Sequence, residues 1–72
     1  MIVWEQTINP GVRAVCNYQD GSFTVTVDYY GDSLSESFPC VHEPRFGIDT
    51  FDMDRMIEIA ERLTDRLEAE GE

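Results

Sequence analysis

Apolar and polar positions follow a short period through the first forty residues and a longer one near the end of the chain. Ile2–Ile8, Val12–Tyr18, Ser22–Tyr30 and Leu34–Val41 are rich in β-branched and aromatic residues, the composition of half-buried strands. Asn9-Pro10-Gly11, Asp20-Gly21 and Gly31-Asp32 separate them. Asp-Gly is a strong hairpin signal, because a type I′ turn needs positive φ at both central residues; Gly31-Asp32 suits a two-residue turn of the II′ or I′ type. From Asp52 to Ala69 the apolar residues Met53, Met56, Ile57, Ala60, Leu63 and Leu67 recur at spacings of three and four, which predicts an amphipathic helix.

The turns also set a register. A two-residue Asp20-Gly21 turn pairs Tyr18 with Phe23, Cys16 with Val25, Ala14 with Val27 and Val12 with Tyr29. All eight side chains are apolar or aromatic and share one face. The other face then pairs Arg13 with Asp28 and Asn17 with Thr24. A Gly31-Asp32 turn sets Tyr29 opposite Leu34, Val25 opposite Phe38, Phe23 opposite Cys40 and Val27 opposite Glu36. Both hairpins bury the same face.

The first hairpin has two solutions. A three-residue Asn9-Pro10-Gly11 loop buries Ile2, Trp4, Gln6 and Ile8, whereas a two-residue Pro10-Gly11 loop buries Val3, Glu5 and Thr7. Burial favours the first. Pro39 has no N–H to donate, so the fourth strand belongs at an edge. Asp49 or Thr50 is the candidate N-cap, Asp52 and Asp54 complement the helix dipole, and Gly71 ends the helix. Phe46 and Ile48 in the connection are expected to close one end of the core.

The predicted fold is therefore α+β: a four-stranded antiparallel meander with one C-terminal helix packed on one face, ββββα. It is one domain over 1–72, with the sheet at 2–41, a connection at 42–50 and the helix at 51–70.

Charge changes this picture more than composition does. Fifteen acids stand against five bases, all arginine, for a formal net charge of −10. Such a charge repels nucleic acid and anionic membranes, so direct binding to either is not expected and a basic partner is the natural complement. The bland reading is solubility, as in an acidic protein of a salt-adapted host. No stretch approaches the roughly 20 apolar residues of a membrane span. Met1-Ile2-Val3-Trp4-Glu5 lacks the basic region and apolar core of a secretory signal, so a cytoplasmic location is expected.

Candidate chemistry is sparse. Cys16 and Cys40 fall on strands two and four, about 9.5 Å apart across the third, beyond the roughly 7 Å that a disulfide spans. Both are read as buried free thiols. Glu36 points to the apolar face, where an edge position or an arginine partner would accommodate it. His42, Glu43 and Asp49 sketch an acid–base group on a loop but form no triad. No phosphate-binding loop, HExxH or nucleophile elbow is present. The expectation is a protein that is not an enzyme and takes no cofactor or metal.

The helix carries the remaining pattern. At about 100° per residue, Asp54, Glu58, Glu61, Asp65 and Glu68 share one sector, while Arg55, Arg62 and Arg66 share the next. The acidic stripe rises about 21 Å at 1.5 Å per residue. Its carboxylates are about 5–6 Å apart, roughly the interval between neighbouring phosphates of a nucleic-acid strand. Pairs such as Arg55–Glu58, Glu58–Arg62, Arg62–Asp65 and Arg66–Glu70 have the spacing to soften the charge.

Size, charge and the spacing of those five carboxylates resemble the small acidic inhibitors of phages and mobile elements, including anti-CRISPR and anti-restriction proteins that imitate nucleic acid. A second resemblance is to HicB-type antitoxins, whose strands lead into a helix through a segment similar to Gly47-Ile48-Asp49-Thr50-Phe51-Asp52, followed by a run like Met56–Leu63. The glycine-rich turn usual in that family is not found around Pro39-Cys40. Both resemblances imply a protein that binds and blocks a basic protein or nucleoprotein, and the helical stripe of Asp54, Glu58, Glu61, Asp65 and Glu68 is the candidate contact surface. A homodimeric assembly module that pairs its strand edges is the alternative.

Overall fold

In a computed structural model, which describes residues 1–40 and 50–70, the chain forms the predicted meander and helix. The strands are β1 (Ile2–Asn9), β2 (Val12–Gln19), β3 (Ser22–Tyr29) and β4 (Asp32–Pro39), and the helix is α1 (Thr50–Glu70). They form one antiparallel sheet in the order β1-β2-β3-β4, and α1 packs on β3 and β4. Phe46, Ile48, Asp49 and Gly71 lie outside the described residues, as do His42 and Glu43.

The β2–β3 hairpin has the register its turn dictates. Val12 faces Tyr29, Ala14 Val27, Cys16 Val25 and Tyr18 Phe23. Asp20 and Gly21 both take positive φ, 50° and 80°, as a type I′ turn requires. Val12, Ala14, Cys16, Phe23, Val25 and Val27 are all buried. Arg13 stands opposite Asp28, yet its guanidinium bridges Glu5 of β1 instead, at 2.5 Å.

The β3–β4 register differs from expectation by two residues. The loop is Tyr30-Gly31, with φ of 47° and 96°, so Tyr29 faces Asp32, Val27 Leu34, Val25 Glu36 and Phe23 Phe38. Glycine takes the second turn position, as it does in Asp20-Gly21, and a tyrosine is forced into the left-handed region. This register puts Pro39 at the strand end opposite Ser22, where its missing N–H costs little. It also stacks Phe23 on Phe38, with ring centroids 5.3 Å apart. On the wet face it aligns Thr24 with Ser37 and Thr26 with Ser35, each hydroxyl pair 2.9 Å apart. A slip of two keeps every side chain on its face, because the strand period is two.

β1 satisfies neither proposed loop alone. Asn9 pairs with Val12, so the loop is the two-residue Pro10-Gly11, but the register shifts between Thr7 and Asn9. Ile8 absorbs the extra position, and Trp4 and Gln6 come to face Cys16 and Ala14. A second shift near Val3 turns Ile2 to the outer face, opposite Asn17. Of the four residues expected inside, only Trp4 packs against the core, where Val3 joins it. Ile2, Gln6 and Ile8 are exposed.

The reason is width. A helix with its side chains is about 10–12 Å across, whereas four strands at about 4.8 Å spacing present a wider face. α1 seats Met56, Ile59, Ala60, Leu63 and Leu67 in the core, and the apolar side of β1 stays uncovered. The buried stripe also includes Ile59 in place of the expected Ile57 and Met53; Ile57 is 38% exposed. Ile59 lies within one sector of Met56 and Leu63, and Ile57 stands at the flank facing β1.

Glu36 does point to the apolar side, and Arg62 of α1 reaches over the edge of β4 to pair with it. Both side chains are about half exposed, so the pair adds at most about 1 kcal/mol.

The two hairpin loops at one end of the sheet touch. Tyr30 N–H donates to Gly11 C=O at 2.9 Å, and the Tyr30 hydroxyl donates to Asn9 Oδ1 at 3.2 Å. A Cβ added at Gly11 would overlap the Tyr30 ring. Gly11→Ala should therefore lower the unfolding free energy by about 1–2 kcal/mol in urea titration, the usual cost of modest overpacking. In a Tyr30→Asn background, which removes the ring and tolerates positive φ, that penalty should fall below about 0.5 kcal/mol. Equal penalties in both backgrounds would exclude the ring contact as the cause.

Candidate functional site

Burial of one side of α1 sorts its remaining residues into three flanks. Asp54, Glu58, Glu61, Asp65 and Glu68 are all exposed, opposite the buried stripe. Arg55, Arg62 and Arg66 occupy the flank toward β4. Ile57 and Thr64 occupy the flank toward β1.

The arginines do not neutralise the acidic stripe. Arg62 is engaged with Glu36 of β4, and Arg66 pairs with Glu70 at 3.5 Å. The expected Arg55–Glu58, Glu58–Arg62 and Arg62–Asp65 pairs do not form. Among the described residues none of the five carboxylates is in an ion pair. Like charges at i,i+4 cost a few tenths of a kcal/mol each, so the stripe is retained against a small local penalty.

Beside the stripe lies a groove of about 380 Å³ between β1 and α1. Trp4, Gln6 and Ile8 line it from the strand, and Ile57, Ala60, Glu61, Thr64 and Asp65 from the helix. Two of the five predicted contact residues, Glu61 and Asp65, are thus on its rim; Asp54, Glu58 and Glu68 do not line it. Thr64 spends its hydroxyl on the Ala60 carbonyl at 2.7 Å. The periodicity of the chain did not reveal the groove, since Trp4 and Ile57 read as core. The signal that could have found it is the mismatch between one helix and four strands.

A smaller depression at the start of α1 is lined by Phe38, Pro39, Phe51, Asp52 and Arg55. Asp52, expected to complement the helix dipole, is there but only 1% exposed. Among the described residues neither of its carboxylate oxygens has a hydrogen-bond partner. The first helical turn still favours its charge through the dipole. Its phase with Met56, four residues on, was the available sign that it would point inward.

Cys16 and Cys40 form no disulfide; Cys16 is buried and Cys40, just past the end of β4, is half-buried. Burial, followed by the nearby Asp52 carboxylate, pushes the Cys16 thiol up from 9.0 to about 11. A thiol held protonated in this way is a poor nucleophile. Among the described residues no group of three His, Cys, Asp or Glu side chains is placed to hold a metal ion. Nor is any described helix long and apolar enough to cross a membrane.

Comparison with protein-family models, with curated proteins and with solved structures finds no match for this chain. What the site can do has to be argued from its own residues.

The Cys16 shift yields a stability prediction. Between about pH 9 and pH 11 the unfolded chain loses the thiol proton while the folded chain keeps it, so the folded state binds more protons and stability falls as pH rises. The loss should be on the order of 2–3 kcal/mol across that interval. Urea titrations at pH 8.5 and pH 11 should show a markedly smaller drop for Cys16→Ala than for the parent chain. Parallel pH profiles would show that Cys16 does not carry the effect.

Proposed function

We propose that this protein is a non-enzymatic inhibitor that lays the acidic outer side of α1 against a basic, nucleic-acid-binding surface of a partner protein or nucleoprotein. The observation that supports this most is the state of the five carboxylates. Asp54, Glu58, Glu61, Asp65 and Glu68 are exposed along one side of a continuous helix. The arginines of α1 lie on the neighbouring flank toward β4, where Arg62 pairs with Glu36 and Arg66 with Glu70. A row of unneutralised charges about 5–6 Å apart offers a surface built for phosphates an alternating set of acceptors for its Arg and Lys side chains.

Such a surface acts at short range and in encounter. Exposed charges are screened beyond about 8 Å at physiological ionic strength, so the stripe contributes at contact and by steering association. It resembles in this the small acidic inhibitors of phages, anti-CRISPR proteins among them, and an antitoxin-like role would use the same surface. Strand-edge pairing between two copies is less well supported. β1 is interrupted by two register shifts and β4 ends in Pro39, both features that blunt an edge.

Once the partner has been captured from the native host at low salt, its affinity can be measured directly. The Asp54→Asn, Glu58→Gln, Glu61→Gln, Asp65→Asn variant should bind at least tenfold more weakly, about 1.4 kcal/mol or more. Binding by the parent chain should weaken steeply with salt, and the partner's nucleic acid should compete with it. Undiminished binding by the quadruple variant, or indifference to competing nucleic acid, would sink the reading.

A further inference from the structure

We propose that the groove between β1 and α1 is an anchoring site that receives a large apolar side chain from a cationic segment of the partner protein, while Glu61 and Asp65 pair the arginines or lysines flanking it. This rests on the reading of α1 as the face turned to a basic partner, and it adds where the specificity resides. A row of carboxylates alone attracts any basic surface; an apolar socket beside it selects one.

The socket is left over from folding. Trp4, Ile8, Ile57 and Ala60 give it an apolar lining, and Ile8 and Ile57 remain 48% and 38% exposed. Its volume, about 380 Å³, is near the lower end of the roughly 300–1,000 Å³ of ligand cavities. It is open along one side, which suits a side chain presented on a macromolecular segment.

The rim chooses the sign of the occupant. Among the described residues Glu61 and Asp65 carry no ion-pair partner and no Arg lines the groove. Gln6 adds an amide able both to donate to and to accept from an entering backbone. A second copy of this chain would bring a net charge of −10 and the same acidic rim, so like charges oppose it. Extension of the sheet at β1 is hindered by the register shifts at Val3 and Ile8. Cationic and apolar groups on one segment match both the walls and the rim.

Trp4 is the sole tryptophan and lines the groove, so its emission reports occupancy. The probes are two fluorescein-labelled synthetic peptides, one of arginine pairs separated by leucine and one with glycine at every leucine position. In low salt the leucine peptide should bind the full-length chain at least tenfold more tightly by anisotropy and shift Trp4 emission to shorter wavelength. Ile8→Ser with Ile57→Ser, both at exposed positions, should cancel that advantage and leave the glycine peptide's affinity unchanged.

Equal binding of the two peptides with unmoved Trp4 emission would overturn the anchoring role and leave the acidic-face reading intact. Binding of neither peptide would remove both. A concentration-dependent dimer in sedimentation that Ile57→Ser dissolves would assign the groove to a second copy instead, which also overturns the proposal.

Discussion

The contact between one stripe of α1 and the inner face of the sheet, seated on β3 and β4, carries this fold. Met56, Ile59, Ala60, Leu63 and Leu67 meet Val12, Ala14, Cys16, Phe23, Val25, Val27 and Phe38, and no disulfide joins Cys16 to Cys40. A chain of 72 residues has little other apolar surface to bury, and small domains without staples are marginal. An isolated antiparallel sheet with one bare apolar face would not persist, and an isolated helix with five like charges along one side would form poorly. Each element is stable because the other covers it.

That contact is also too narrow for the sheet it serves. A helix centred over β3 reaches β4 on one side, where Arg62 pairs with Glu36, and falls short of β1 on the other. The chain meets the mismatch in two ways. Register shifts at Val3 and Ile8 relax β1 away from strict alternation, and polar Gln6 and Thr64 share the uncovered strip with Trp4, Ile8 and Ile57. The groove is thus a geometric consequence of one helix on four strands, and its mixed lining limits the cost of leaving it open to water.

Sequence patterns reported the fold unevenly, for reasons that differ by element. Asp20-Gly21 is a turn whose chemistry admits one register, so the β2–β3 pairing was legible to the residue. Tyr30-Gly31 hid behind the unfavourable placement of a tyrosine at positive φ, which shifted the inferred β3–β4 pairing by two while preserving its faces. β1 was legible only in part, because a register shift inside a strand leaves no composition of its own. The exposed carboxylates followed directly from helical spacing. Ile57 and Ile59 are both apolar and two residues apart, so only the seat of the helix on β3 and β4 decided which was buried. Charge pairing was the least legible of all: Arg62 had partners on its own helix at ideal spacing and took one on β4.

That last choice sets the character of the surface. Had Arg62 turned to Glu58 or Asp65, each pair would have cancelled part of the acidic stripe while adding a few tenths of a kcal/mol to the helix. Drawn across to Glu36, it neutralises a carboxylate that the strand register forces inward and leaves the outer ones uncompensated. The sequence of flanks around α1 is then core, groove, acid, arginine. Approached from β4, the helix presents its own cations first; approached from β1, it presents apolar side chains bordered by carboxylates. On the proposed reading a basic partner would approach from the β1 side, where carboxylates border the apolar strip and the arginines lie on the far flank.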